Sequence, residues 1–148
     1  MNWDYVAGFF DGEGNIHINV VRSKAQNNKL KSLQLVCRIY SSNKDILLQL
    51  QTFLGFGNIY LKKKEIWELV ISKKEDVQLF LSQIKEKVIL KKDQISYALD
   101  NYSFDHQSNF DFDIDKFRTF ITRKNIDKFR TNTSSKIRGE LNSSPINF

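Results

Sequence analysis

Residues Val6-Ala7-Gly8-Phe9-Phe10-Asp11-Gly12-Glu13-Gly14 run small and apolar side chains into two carboxylates set among glycines. The segment from Trp3 to Phe10 has the composition of a helix. Ala7 and Gly8 strip side-chain bulk from it, so a second backbone can approach closely. Gly12 and Gly14 are expected to break that helix and leave the Glu13 carboxylate free at its end. Immediately afterwards, Asn15-Ile16-His17-Ile18-Asn19-Val20 alternates polar and apolar with period two, the mark of a strand with one buried face. On these residues alone, a helix cap followed by a surface acid also fits. A calcium loop does not, although Asp11, Glu13 and Asn15 occupy alternate positions. Ile16 stands where that loop needs glycine, and Arg22 where it needs a bidentate glutamate.

Beyond the first strand the pattern continues as helix, hairpin, helix, hairpin, helix, then a helical tail. The first hairpin pairs Asn15–Ser23 with Leu30–Tyr40 through a polar turn at Asn27-Asn28. Asn43 is a natural N-cap for the next helix, which carries Ile46, Leu47, Leu50 and Leu54 on one side and ends at Gly55. A second hairpin pairs Asn58–Lys62 with Ile66–Ile71. Helices follow over Glu75–Lys85 and from about Lys91. The inward positions of both hairpins are apolar, Ile16, Ile18, Leu33, Leu35, Cys37, Ile39, Leu69 and Ile71 among them. The outward positions carry His17, Asn19, Ser32, Gln34, Arg38, Tyr40, Asn58, Tyr60, Lys62 and Glu68. Amides can pair with adenine edges and cations with guanine edges or phosphates, and a two-stranded ribbon fits the major groove. Arg22 and Lys24, at the hairpin end, could clasp phosphate beside it.

Charge is segregated along the chain. The net charge is +6, yet residues 1–20 hold three acids and no Lys or Arg, while residues 22–64 hold nine Lys or Arg against Asp45 alone. This places cations on the sheet-like segment and acids at the opening motif, which suits a polyanionic partner better than a generic basic surface does. The lone Cys37 lies in an apolar strand and reads as a reduced core residue, and with two histidines no zinc spacing exists. No signal peptide or membrane span is visible, so an intracellular protein without a membrane partner is expected. Seventeen Lys to six Arg hints at an AT-rich genome, and with it an organelle (chloroplast or mitochondrion), a bacterial or archaeal cytoplasm being the other setting. In the tail, Ile114-Asp115-Lys116-Phe117-Arg118-Thr119 recurs as Ile126-Asp127-Lys128-Phe129-Arg130-Thr131, and the Ser, Thr and Asn-rich stretch 131–148 reads as a mobile extension.

The nine residues from Val6 to Gly14 resemble the signature motif of the LAGLIDADG homing endonucleases, with Val6, Phe9 and Phe10 as apolar variants and Gly12-Glu13-Gly14 closing it. A weaker similarity extends over roughly the first hundred residues in the order of elements. The resemblance implies an α+β, αββαββα fold with a saddle-shaped antiparallel sheet and C-terminal helices. Its single domain would cover 1–130, with the core about 3–100. A single motif copy implies a homodimer whose motif helices pack together through Ala7, Gly8 and Asp11. The implied activity is site-specific double-strand DNA cleavage at a long, partly palindromic site, dependent on Mg²⁺ with Mn²⁺ as a substitute. Under it, Glu13 and the Gly12 carbonyl hold metal, while Lys91, within Leu90-Lys91-Lys92-Asp93-Gln94, matches the family's basic catalytic position, Lys92 being the neighbouring alternative. Ser41 stands where many relatives place a water-ordering glutamine. The chemistry supports one acid per copy: magnesium keeps most of its water shell and takes only one or two protein carboxylates beside phosphate oxygens. The alternative on the same fold is a non-cleaving binder, either an RNA maturase that assists splicing or a DNA-binding regulator.

Overall fold

A computed structural model of the protein describes residues 1–105 and 109–120. The first helix, α1 (Trp3–Glu13), is capped by Asn2, whose side chain accepts the Tyr5 N–H at 2.9 Å. It does not break at Gly12 as the sequence suggested. Gly12 stays helical, and the turn comes at Gly14, whose N–H still donates to the Phe10 carbonyl while its backbone becomes extended. Gly14 is required by close approach, not by an unusual φ. A Cβ there would lie 2.6 Å from Phe10 Cε1 and 2.8 Å from the Phe10 carbonyl oxygen. The chain can therefore enter its first strand tight against the buried Phe10 ring.

That strand, β1 (Gly14–Ser23), pairs with β2 (Lys29–Ser41) across a short 3₁₀ turn at Lys24–Gln26. Asn27 and Asn28 hold positive φ in the connection, a conformation Asn tolerates better than most residues. The helix α2 (Lys44–Leu54) leads to β3 (Asn58–Lys63) and β4 (Ile66–Ile71), followed by α3 (Lys74–Ile84) and α4 (Lys92–Asn101). The four strands form one antiparallel sheet in the order β1-β2-β4-β3, so the two hairpins meet along β2 and β4. This is the α+β αββαββα arrangement expected; α1 runs three residues past its sequence-read end at Phe10, and the strands and later helices lie within a residue or two of their sequence-read bounds.

One sheet face is apolar and covered by helices. Ile16, Leu35, Cys37, Ile39, Leu69 and Ile71 are almost fully buried against Phe10, Leu47, Leu50, Phe80, Leu81 and Ile84. Phe10 and Phe80 meet edge to face at 5.0 Å between ring centres, joining α1 to α3. Burial pushes the Cys37 thiol pKa up, and the residue is a free core cysteine as read from sequence. Tyr102, just past α4, ties itself to β2 by donating its hydroxyl to the Leu33 carbonyl at 2.8 Å. Among the described residues no helix is long and apolar enough to cross a membrane.

The chain divides into two compact units, Met1–Phe112 and Asp113–Phe148. Of the second, residues 114–120 are helical, with Asp113 accepting the Lys116 N–H at 2.9 Å as an N-terminal cap. The second copy of the tail repeat, the expected boundary at Arg130 and the stretch 131–148 lie outside the described residues.

Gly14→Ala is expected to cost about 1–3 kcal/mol of stability, the range for forcing atoms into a packed site. Urea unfolding checks this, and unchanged stability would contradict the Gly14–Phe10 packing.

Candidate catalytic and nucleic-acid-binding site

The C-terminal end of α1 gathers the groups with chemistry. Glu13 is the last helical residue, solvent-exposed, and makes no ion pair among the described residues. An acid at a helix C-terminus adds its charge to the partial negative charge of the last carbonyls, so this corner attracts cations. One such cation is the chain's own. Lys91, buried to 5% exposure, donates its ammonium to the Asp11 carbonyl at 2.7 Å and lies 5.7 Å from the Phe10 ring centre. Lys92, by contrast, pairs with Glu86 at 3.0 Å, outside this corner. The geometry thus separates the two lysines that the sequence left as alternatives.

Asp11 turns away from solvent. Its carboxylate accepts backbone N–H groups from Ile89 at 2.8 Å, Leu90 at 2.9 Å and Lys91 at 2.9 Å. Burial is the largest single influence on its acidity and pushes the pKa up. The three backbone donors and the Lys91 charge together outweigh burial and hold the carboxyl below its ordinary value. Asp11 and Ala7 were both expected on a helix-packing surface, but each is buried inside the protomer, at 8% and 0% exposure. The open side of α1 is Tyr5, Gly8 and Gly12, and a Cβ built on either glycine meets nothing within 4 Å.

The uncovered sheet face carries a connected polar network. The register sets His17 opposite Val36, Asn19 opposite Gln34, Arg38 opposite Val70, and Tyr40 opposite Glu68. In β3, Asn58 and Tyr60 face Val70 and Glu68 on that same side. Arg38 Nη1 contacts the His17 ring, 2.8 Å from Nδ1, and Arg38 Nε lies 3.3 Å from Glu68 Oε1. Burial first, and then the Arg38 charge, push the His17 pKa down, so its imidazole is neutral at pH 7. Nε2 of the same ring also contacts Arg38 Nη1 and lies 2.9 Å from Asn19 Oδ1. Lys62 Nζ sits 5.0 Å above the Tyr40 ring. Arg38, His17, Asn19, Tyr40, Glu68, Ser32, Gln34, Asn58, Tyr60 and Lys62 therefore share one face, as expected from alternation.

Of the remaining expected site residues, Arg22 and Ser41 are engaged in local contacts. Arg22 lies just past a register shift in β1, pairs with Leu30, and donates to the Asn28 carbonyl at 3.2 Å, bracing the hairpin loop. Lys24 is exposed in that loop, off the sheet. The Ser41 hydroxyl accepts the Asn43 N–H at 3.0 Å, so it shapes the entry to α2, where Asn43 caps Ile46. One residue was overlooked. Asn15, the first outward residue of β1 and two residues after Glu13, donates to the Tyr40 hydroxyl at 3.1 Å. Its Oδ1, like Glu68 Oε1, is a buried acceptor with no hydrogen-bond donor among the described residues, the Arg38 contact to Glu68 being an ion pair only. The same period-two alternation that marked His17 and Asn19 also includes Asn15.

No three His, Cys, Asp or Glu side chains cluster as a metal cage among the described residues. Glu13 beside the helix-end carbonyls is a partial, all-oxygen site. Such a donor set fits a hard cation that draws its remaining ligands from water and phosphate, and does not fit zinc.

Comparison with known proteins agrees with the fold described above. The profile of the LAGLIDADG endonuclease family matches residues 6–100. Among solved structures, the homing endonuclease I-CvuI, in complex with the I-CreI target in the presence of Mg, superposes with a TM-score of 0.60 at 22% identity, over 66% of this chain and 63% of that one. The homing endonuclease I-TnaI superposes at 0.57 and 24% identity, over 66% and 68% of the two chains. The archaeal intron-encoded homing endonuclease I-Vdi141I, complexed with DNA, superposes at 0.55 and 21% identity, over 64% and 62%. The matched region thus spans a little under two thirds of the I-CvuI and I-Vdi141I chains. No curated protein matches the sequence significantly.

Because the folded state lowers the Asp11 pKa, the stability this adds is present above the unfolded-state value and is lost as pH falls through the folded one. The stability gap between wild type and Asp11→Asn should therefore be widest near neutral pH and narrow between about pH 5 and pH 2. Urea unfolding at several pH values measures it, and a pH-independent gap would contradict the bonding described.

Proposed function

The chain belongs to the LAGLIDADG endonuclease family, and from that premise we propose that it is a site-specific, divalent-metal-dependent DNA endonuclease that works as a homodimer. The observation that carries the reading is Glu13, an exposed acid at the C-terminal end of α1, where it adjoins the polar and basic sheet face. A binding scaffold alone would have no use for an unpaired carboxylate where a polyanion is to approach. An acid that holds a cation against a phosphate needs to stand there.

Two copies complete the site. Gly8 and Gly12 lie on the exposed side of α1 with no atom in their way, so two α1 helices can bring their backbones together there. A twofold axis along that contact sets the two Glu13 ends side by side, one for each strand of a duplex. The sheet faces then follow the major groove on either side, and Arg38, Asn19, Gln34, Asn58 and Tyr60 present groups suited to base edges. Lys62 and Lys24 are exposed at hairpin ends, where phosphates pass.

In the reaction, Glu13 and the Gly12 carbonyl would hold Mg²⁺, with Mn²⁺ as a substitute. When bound, the ion neutralises charge on the scissile phosphate and makes water more acidic. The Lys91 ammonium, fixed at the same helix end, adds positive charge where the transition-state phosphate accumulates negative charge. Ser41, near the end of β2, contributes through the shape of the β2–α2 turn.

The test is a randomised duplex library incubated with Mg²⁺, with Ca²⁺ and Glu13→Gln arms in parallel. Discrete double-strand cuts at one sequence are expected with Mg²⁺ only. Glu13→Gln should lose several kcal/mol of transition-state stabilisation, about 10³-fold in rate, while its DNA affinity in Ca²⁺ stays within a few-fold. Tight, salt-sensitive binding without cuts would identify a non-cleaving DNA regulator instead, and preference for folded RNA a maturase.

A further inference from the structure

We propose that Asp11 is a positioning residue for catalysis, acting through Lys91; this rests on the endonuclease reading above. The observation is a closed pair of contacts between residues 80 apart in sequence. The Asp11 carboxylate accepts the Lys91 backbone N–H at 2.9 Å, and the Asp11 backbone carbonyl accepts the Lys91 ammonium at 2.7 Å. One residue therefore holds both the main-chain N–H and the ammonium of Lys91.

The consequence follows from what a lysine otherwise is. Its four-carbon stem has many rotamers, and a charge that wanders among them stabilises a transition state poorly. Electrostatic catalysis requires the charge in place before the reaction begins. Here the anchoring goes further, because Asp11 also accepts the N–H groups of Ile89 and Leu90, which fixes the three residues that enter α4. Gln94, in the first turn of α4, donates to the Ile16 carbonyl at 3.1 Å and ties the same helix start to β1. The Lys91 ammonium thus has a set position relative to the Gly12-Glu13 end of α1, and Asp11 determines it. Three converging backbone donors on a buried carboxylate exceed what ending α1 requires, since Gly14 already accomplishes that.

The test is a double-mutant cycle on the full chain, with single-turnover cleavage at saturating duplex and Mg²⁺. The variants are Asp11→Asn, Lys91→Met and the double variant, with DNA affinity measured in Ca²⁺ and folding checked by circular dichroism. Asn keeps the size of Asp but turns an amide N–H toward the backbone donors of residues 89–91, which loosens the Lys91 main chain while leaving the Asp11 carbonyl in place. Asp11→Asn should lower the saturated rate roughly 10–100-fold, the effect of a misplaced catalytic group, with affinity within threefold of wild type. In the Lys91→Met background it should add less than threefold. A wild-type rate for Asp11→Asn, or the same cost in both backgrounds, would overturn the assignment while leaving the endonuclease reading intact. Lys91→Met cutting at the wild-type rate would overturn it too. Absence of cleavage by wild type would instead remove the endonuclease reading. If Asp11→Asn does not fold, Asp11→Glu, which keeps the charge and displaces it by one methylene, carries the same comparison.

Discussion

A single buried carboxylate joins the two halves of this site. Asp11 accepts three backbone N–H groups from residues 89–91 and thereby locks the end of the first helix to the start of α4, on the far side of the αββαββ core in sequence. Hydrogen bonds to a charged acceptor contribute about 1.5–3 kcal/mol each, so this contact ranks with the largest local stabilisations available to the chain. Everything chemical depends on it. Glu13 stands exposed at the end of α1, and the Lys91 ammonium meets the Asp11 carbonyl in the last turn of the same helix.

The core supplies the rigid support. Gly14 lets the chain pass from α1 into β1 in contact with Phe10, and Phe10 packs edge to face on Phe80 of α3. The transition from helix to sheet is therefore made over buried aromatic surface, with no loop between them. A carboxylate at such a junction inherits the rigidity of both elements, which suits the cation-holding role proposed for Glu13. The opposite sheet face is kept polar by a chain of contacts from Asn19 through His17 and Arg38 to Glu68. Burial, and then the Arg38 charge, push the His17 pKa down, and the imidazole contacts the guanidinium over the sheet.

Much of this was legible in the sequence, for physical reasons that differ by element. Period-two alternation in Asn15–Val20 and Leu33–Ile39 depends only on nearest neighbours in a strand, and so it located the sheet and both of its faces. Alternation should equally have drawn attention to Asn15, whereas at Arg22 a shift in register interrupts the pattern. Gly12 was misread because low helix propensity is a weak penalty, about 1 kcal/mol, which packing overrides. The side chains of Asp11 and Ser41 were beyond reach for another reason. Their partners are set by a contact across 80 residues in one case, and by a turn geometry at Asn43 in the other. Neither leaves a periodic trace. Motif resemblance assigned Lys91 its place, and the structure adds the contact that fixes it there.

The central claim is that one Glu13 per copy serves one strand of the duplex. The most direct measurement is strand cleavage by mixed dimers, in which differently tagged wild-type and Glu13→Gln chains are co-purified and given the cognate duplex with Mg²⁺. The account predicts that such a mixed dimer nicks a single strand and leaves the other intact. Double-strand cuts from a dimer with one Glu13, or full cleavage by a monomer, would contradict it.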